Sequence, residues 1–199
     1  MPVAFRVLEL LASRLCHELI SPVGAINNGV ELLTDGDQGF ARDATALIGQ
    51  SARRAAARLQ FYRFAYGAGA LAGGAADAGT LVAGMFEGGR AFCDWPRDFG
   101  ALPPRWQKLG CNLALLAAEA LPRGGRVTLA RDGNGIAAVA AGESVSLSAE
   151  LKAALAAEVD VEALTARTVH AYFVARLAET LGARLAVSEA DRRATFVAA

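Results

Sequence analysis

Positions 8 to 33 constrain this chain more than any other stretch. Leu8, Leu11, Leu15, Leu19, Pro22, Ile26, Val30 and Leu33 recur with the period of an α-helix. They predict one long amphipathic helix from about residue 4 to Leu33. Leu10, Arg14, His17, Ser21, Gly24 and Asn28 fall on nearly the opposite side of the wheel. His17 is therefore expected in the middle of the water-facing stripe, with small or polar residues a turn above and below it. A solitary exposed histidine on such a helix is ordinarily plain surface, and three neighbours set this one apart. Glu18 is a carboxylate able to hydrogen-bond and orient an imidazole. Pro22 removes a backbone hydrogen bond inside the helical pattern and should kink the helix about a turn after His17. Gly24 weakens the helix but keeps its exposed face flat for a partner's close approach.

Thr34-Asp35-Gly36-Asp37-Gln38-Gly39 then supplies a loop of turn formers. A second helix is predicted from about Phe40 to Tyr66. Its inner side carries Phe40, Ala44, Leu47, Ile48, Ser51, Ala55, Leu59, Tyr62 and Tyr66, and Arg42, Arg53, Arg54, Arg58 and Arg63 lie largely elsewhere. Two long amphipathic helices joined by a short loop form an antiparallel hairpin. One hairpin cannot hide both apolar stripes. Two copies can, as a four-helix bundle with two-fold symmetry, so the chain is expected to be a homodimer displaying one His17 per protomer on the bundle exterior.

Gly67-Ala68-Gly69-Ala70-Leu71-Ala72-Gly73-Gly74-Ala75 is the one low-complexity stretch and places a linker at 68–76, between a hairpin at 1–67 and a second domain at 77–199. After it the patterns alternate. Residues 77–88 read as a helix and Arg90–Trp95 as a strand ending at Pro96. Pro103–Leu121 is a helix with proline near its start. Gly125–Arg131 and Gly135–Ala141 form a hairpin turning through Asp132-Gly133-Asn134. Residues 148–158 and 162–181 read as helices, the second capped by Gly182, and Ala183–Ser188 and Ala194–Ala198 as strands. The fold class is α+β.

With 199 residues, 54% of them hydrophobic, a sizeable core is available. Much of that content is Ala, which favours helices. Zero net charge argues against a nucleic-acid binder that works by neutralising phosphates. No apolar run approaches a membrane span, and the first residues read as an amphipathic helix rather than a signal peptide. Cys16, Cys93 and Cys111 are too few and too scattered for a disulfide framework or a zinc site. A reduced, cytoplasmic location is expected, with no membrane and no nucleic-acid partner.

His17-Glu18-Leu19-Ile20-Ser21-Pro22 resembles the phosphoacceptor box of two-component histidine kinases. The longer run from Cys16 to Gly29, Cys-His-Glu-Leu-Ile-Ser-Pro-Val-Gly-Ala-Ile-Asn-Asn-Gly, is similar to that of the ChpT-type histidine phosphotransferases of alphaproteobacteria. The resemblance implies the dimerisation and phosphotransfer bundle for the hairpin and the ATP-binding α/β sandwich of the kinases for the domain at 77–199. It also implies partners in cell-cycle or developmental signalling.

The second domain departs from the kinase pattern wherever nucleotide would bind. On the family's alignment, Asn112-Leu113-Ala114-Leu115-Leu116-Ala117 keeps the first asparagine of the kinase helix, but Leu116 stands where the magnesium-binding asparagine should be, and leucine offers no oxygen to a hard cation. The Asp-x-Gly-x-Gly motif after the strand near Val139 is replaced by Ala140-Ala141-Gly142-Glu143-Ser144. Asp132-Gly133-Asn134-Gly135 comes one strand too early and is explained as a turn. Glu162-Ala163-Leu164-Thr165-Ala166 replaces the glycine-rich loop that would cradle phosphates. The domain is expected to be degenerate, with no nucleotide and no cofactor of its own.

His17 must then receive its phosphoryl group from another protein. The resemblance implies the receiver domain of a hybrid histidine kinase as donor and the receiver of a response regulator as acceptor. An imidazole of ordinary pKa, about 6.5, has one nitrogen free to attack at neutral pH. Glu18 is the nearest acceptor for a hydrogen bond from the other nitrogen. The receiver would bring its own magnesium and lysine. Arg14, Ser21, Gly24 and Asn28 share the face of His17 and are expected to contact the receiver; Asn27 lies to one side. His170 has no second metal-ligand residue at i±4 and reads as structural or surface, Cys16 as a lightly buried thiol, and Trp95 and Trp106 as packing residues. Two other functions fit the sequence: a non-catalytic dimer that binds receivers, and an atypical ATP-dependent histidine kinase.

Overall fold

The computed structural model describes residues 5–34, 41–68, 77–156 and 159–199. Two long helices, α1 (Phe5–Thr34) and α2 (Ala41–Tyr66), pack side by side as a hairpin. The helix continues through Pro22, whose ring is buried. Contact is closest where Gly29 faces Ala44 and Ile48: a Cβ at Gly29 would sit 2.6 Å from Ile48 Cγ1 and 3.2 Å from the Ala44 carbonyl oxygen. Thr34, the first residue of the predicted loop at 34–39, instead ends α1; the rest of that loop and most of the linker at 68–76 lie outside the described residues.

The remainder builds a five-stranded sheet, β1 (Ala91–Asp94), β2 (Gly125–Asp132), β3 (Gly135–Ala141), β4 (Leu185–Ala190) and β5 (Arg193–Ala198), in the order β1-β2-β3-β5-β4. Strand β1 runs parallel to β2 and every other pair is antiparallel, with Thr128, Val139, Thr195 and Ser188 in one register row. Alternation decides the faces. Val127, Leu129, Ile136, Ala138, Ala140, Phe196 and Ala198 are buried on one side, and their sequence neighbours are more exposed. Helix α4 (Pro104–Glu119) packs against that side, α3 (Ala78–Phe86) and α6 (Val169–Glu179) pack against α4, and α5 (Ala149–Leu155) packs against α6. The result is the α+β architecture expected.

Two expectations need correction. The helix predicted at 162–181 is interrupted: a tight helical turn covers Val161–Ala163, and α6 begins only at Val169. Between them the Thr165 amide donates to Thr168 Oγ1 at 3.0 Å, a side-chain bond that competes with continuous helix. Gly182, at φ +74°, does close α6: the Ala183 amide donates to the Ala178 carbonyl at 3.1 Å and the Gly182 amide to that of Glu179 at 3.0 Å.

The second correction concerns the face of α1. Leu10, placed by the wheel with the water-facing residues, is buried together with Val7 in the core beneath the sheet. The base of the hairpin is therefore built into the second domain. At the same level of α2, Phe61, Tyr62, Phe64 and Ala65 form a second core with Leu81 and Val82 of α3 and Cys111 and Leu115 of α4. Fully buried side chains such as Phe61 contribute about 1.5–3 kcal/mol each, so this junction is not a loose contact.

Candidate functional site

Helix α1 carries different chemistry on each side as it rises from that junction. His17 is exposed, and so are Ser21 and Asn28 at i+4 and i+11, with Gly24 at i+7 half-buried on the same face. Ile20, one turn above His17, is 63% exposed. Ile20 was not foreseen from the polar spacing of this face, and its i+3 position relative to His17 is the signal in the sequence that marks it. Cys16 is exposed rather than lightly buried.

Glu18 points elsewhere. Consecutive residues on a helix diverge by about 100°, which turns Glu18 toward α2 when His17 faces water. There Arg58 Nη1 donates to the Glu18 carboxylate at 2.9 Å and to its carbonyl oxygen at 2.6 Å. Both side chains are about a third exposed, so the pair is worth only about 0.2–1 kcal/mol. Its geometric effect is larger, because the bond ties the rotation of α1 to α2 beside His17.

Arg14 is not displayed either, which corrects its expected place beside His17 on the water-facing stripe. Its guanidinium is turned into the junction, where it donates to the Glu119 carboxylate of α4 and reaches the Ala166 carbonyl oxygen at 3.5 Å. The physical reason is the one that buries Leu10: the first turns of α1 lie against the sheet domain, so this edge of the wheel faces protein.

Glu119 was not foreseen from the sequence, and it anchors a polar chain. His170 of α6 is fully buried, and its Nδ1 lies 3.0 Å from Glu119 Oε1. Its Nε2 lies 3.3 Å from Asn112 Oδ1. The Asn112 amide nitrogen donates to the Ala65 carbonyl at the end of α2 at 3.0 Å and to that of Lys108 at 2.9 Å. Tyr66 closes one side of this cluster, edge-on to His170 and stacked on Tyr62. Burial pushes the Tyr66 hydroxyl up to about 12 despite the nearby Arg14, so it stays protonated. Burial also acts to raise the Glu119 carboxyl, but His170 and Arg14 outweigh it and hold the group below its ordinary value.

The helix that resembles the kinase asparagine helix is thus occupied by protein. Asn112 has both amide hydrogens and its oxygen engaged, and Leu116 is fully buried in the core under the sheet. These residues do not fit a nucleotide-bound magnesium. Among the described residues no group of three or more His, Cys, Asp or Glu could hold a metal ion, and no helix is long and apolar enough to cross a membrane. Cys93 and Cys111 have thiols pushed up by burial, Cys93 to about 12, and are unreactive packing groups. Trp95 packs edge-on against Phe99, and Trp106 lies against the core.

Known proteins agree with this architecture over most of its length. Residues 75–193 match the family described as histidine phosphotransferase C-terminal domain. The chain is 35% identical to protein phosphotransferase ChpT of Brucella abortus (strain 2308) over 197 residues, which cover 94% of this chain and 93% of that protein. A solved structure described as a bacterial phosphotransferase superposes with a TM-score of 0.79 at 32% identity, covering 100% of this chain and 98% of the other.

Proposed function

The chain belongs to the ChpT-type histidine phosphotransferases, and from that premise we propose that it relays a phosphoryl group between receiver domains through His17. The donor is the phospho-aspartate of a hybrid kinase's receiver, and the acceptor is the aspartate of a response regulator. The observation that carries this reading is the position of His17: exposed at mid-helix, with the charged side chains on either side of it, Arg14 and Glu18, both turned inward.

An unprotonated imidazole nitrogen of His17 attacks phosphorus, the P–O bond to the aspartate breaks, and the carboxylate leaves. Transfer to the second receiver reverses these roles. Magnesium and a lysine belonging to the receiver stabilise the transferring group. This chain supplies the nucleophile and the surface around it, formed by Ser21, Gly24, Asn28 and the exposed Ile20. Glu18 contributes by holding the rotation of α1 through Arg58, in place of the direct hydrogen bond to the imidazole expected from sequence.

The same proposal includes a homodimer. Phe5, Leu8, Val23, Val30 and Leu33 of α1 and Leu59 of α2 are large, apolar and exposed in the single chain. The α1 members follow a helical stripe well away from His17. A second hairpin would cover it and leave both histidines outside. ATP has no part in this scheme, which places the protein in the cytoplasm with its receivers.

A receiver pre-labelled with phosphate tests the proposal when mixed with the wild type and with His17→Ala, beside a tube holding the protein and labelled ATP alone. Acid-labile, base-stable label on the wild type, drawn from the receiver and absent from His17→Ala, is the expected result. Label taken from ATP alone would mean a kinase. Binding of several receivers with no transfer from any would mean a non-catalytic receiver-binding dimer.

A further inference from the structure

Arg14, Glu119, His170 and Asn112 take no part in the chemistry at His17, yet they form one continuous polar chain through the junction of hairpin and sheet domain. The chain touches α1 through Arg14, α4 through Glu119 and Asn112, α6 through His170, and the end of α2 through the Ala65 carbonyl. Resting on the phosphotransfer reading above, we propose that this chain is a clamp that fixes the angle of the His17 helix against the sheet domain, with Glu119 as a positioning residue for transfer to and from the receiver.

Three features separate a clamp from ordinary packing. The apolar contacts around it are non-directional and tolerate small sliding movements, whereas charge-assisted hydrogen bonds hold particular atoms at particular distances. Both ring nitrogens of His170 also face acceptors. The Asn112 amide nitrogen is spent on two carbonyls, so its oxygen faces Nε2, and the Glu119 carboxylate faces Nδ1. Glu119 thus sits between Arg14 and His170, partners on different helices, and neither helix can shift without breaking one of its bonds at the junction. Finally, Arg14 lies one turn below His17, and Glu18 lies beside it on α2's side. The rotation of α1 is held by one bond to the sheet domain and another to α2, on either side of the reacting residue.

Glu119→Gln keeps the shape and removes the charge, and neither it nor Glu119→Asp touches the His17 face. Three quantities are read: transfer from saturating phospho-receiver, direct labelling of His17 by the small donor phosphoramidate, and amide exchange along α1. The clamp predicts that Glu119→Gln slows receiver transfer by about tenfold or more, since small misplacements of reacting groups are costly. Phosphoramidate labelling stays within about twofold of wild type, Glu119→Asp recovers most of the transfer rate, and amides over 7–14 exchange about tenfold faster. If Glu119→Gln does not fold, Arg14→Met/Glu119→Leu removes both charges together, and the same pattern is expected of it. Receiver transfer within about twofold of wild type in a folded variant overturns the clamp. So does a parallel loss of transfer and phosphoramidate labelling, which is the mark of a merely structural residue. If the wild type accepts no phosphoryl group from any receiver, the phosphotransfer reading itself falls. The clamp then stands on amide exchange alone: faster exchange over 7–14 in the variant supports it, and unchanged exchange overturns it.

Discussion

His17 owes its accessibility to what its neighbours do. Arg14 and Glu18 are long charged side chains that could crowd an incoming receiver, and each is drawn off by a partner on another helix. Glu119, which holds Arg14, also couples stability to pH. Its folded carboxyl titrates below the ordinary value of 4.5. A group lowered on folding contributes fully above its unfolded value, and that contribution is lost as the pH falls through the lowered folded value. Urea unfolding from pH 7 down to pH 3 should therefore show Glu119→Gln less stable by about 1–3 kcal/mol near neutrality, the cost of weakening charge-assisted bonds at a part-buried site. The difference should shrink once the wild-type carboxyl is protonated. A gap that widens on acidification would contradict this assignment.

At the scale of elements, α1 and α2 lie close because a residue without a side chain sits at their crossing. Gly29 costs α1 some helix propensity, and valine there would recover only a few tenths of a kcal/mol. Against that gain stands a Cβ 2.6 Å from Ile48 Cγ1, before any branch is added. Overpacking wins: Gly29→Val should lose about 1–3 kcal/mol in chemical denaturation. The loss should come with weaker amide protection around Ala44 and Ile48. The helix predicted over 162–181 carries a related lesson, because helical propensity there was overridden by a threonine side-chain bond within a short turn.

For the whole molecule, the apolar stripe of α1 that is exposed in the single chain is where the proposed dimer is tested. Val23 and Val30 are both 46% exposed on it, seven residues apart, and neither lies on the face of His17. A lysine at each would set like charges across a two-fold interface and leave them poorly solvated. Light scattering should report a dimer for the wild type and a monomer for Val23→Lys/Val30→Lys, while phosphoramidate labelling of His17 is retained. A monomeric wild type at micromolar concentration would remove the dimer from the proposal.

Periodicity alone placed the two long helices, the β2–β3 hairpin and the glycine cap of α6, since each rests on contacts between near neighbours in the chain, and alternation marked the remaining strands without showing which strands they pair with. It also put His17 on an exposed face, because the position is set by spacing along one helix. The run from Cys16 to Gly29 carried the family. Only the tertiary structure decided where the edges of that exposed face lie. Leu10 and Arg14 share it on the wheel, yet a domain that begins some sixty residues later covers them. The chain from Arg14 through Glu119 and His170 to Asn112 was equally out of reach. Its members come from three distant stretches, and nothing within any one of them shows that they meet. A helical wheel shows which residues share a side of one helix; which side meets water is settled by whatever else folds against it.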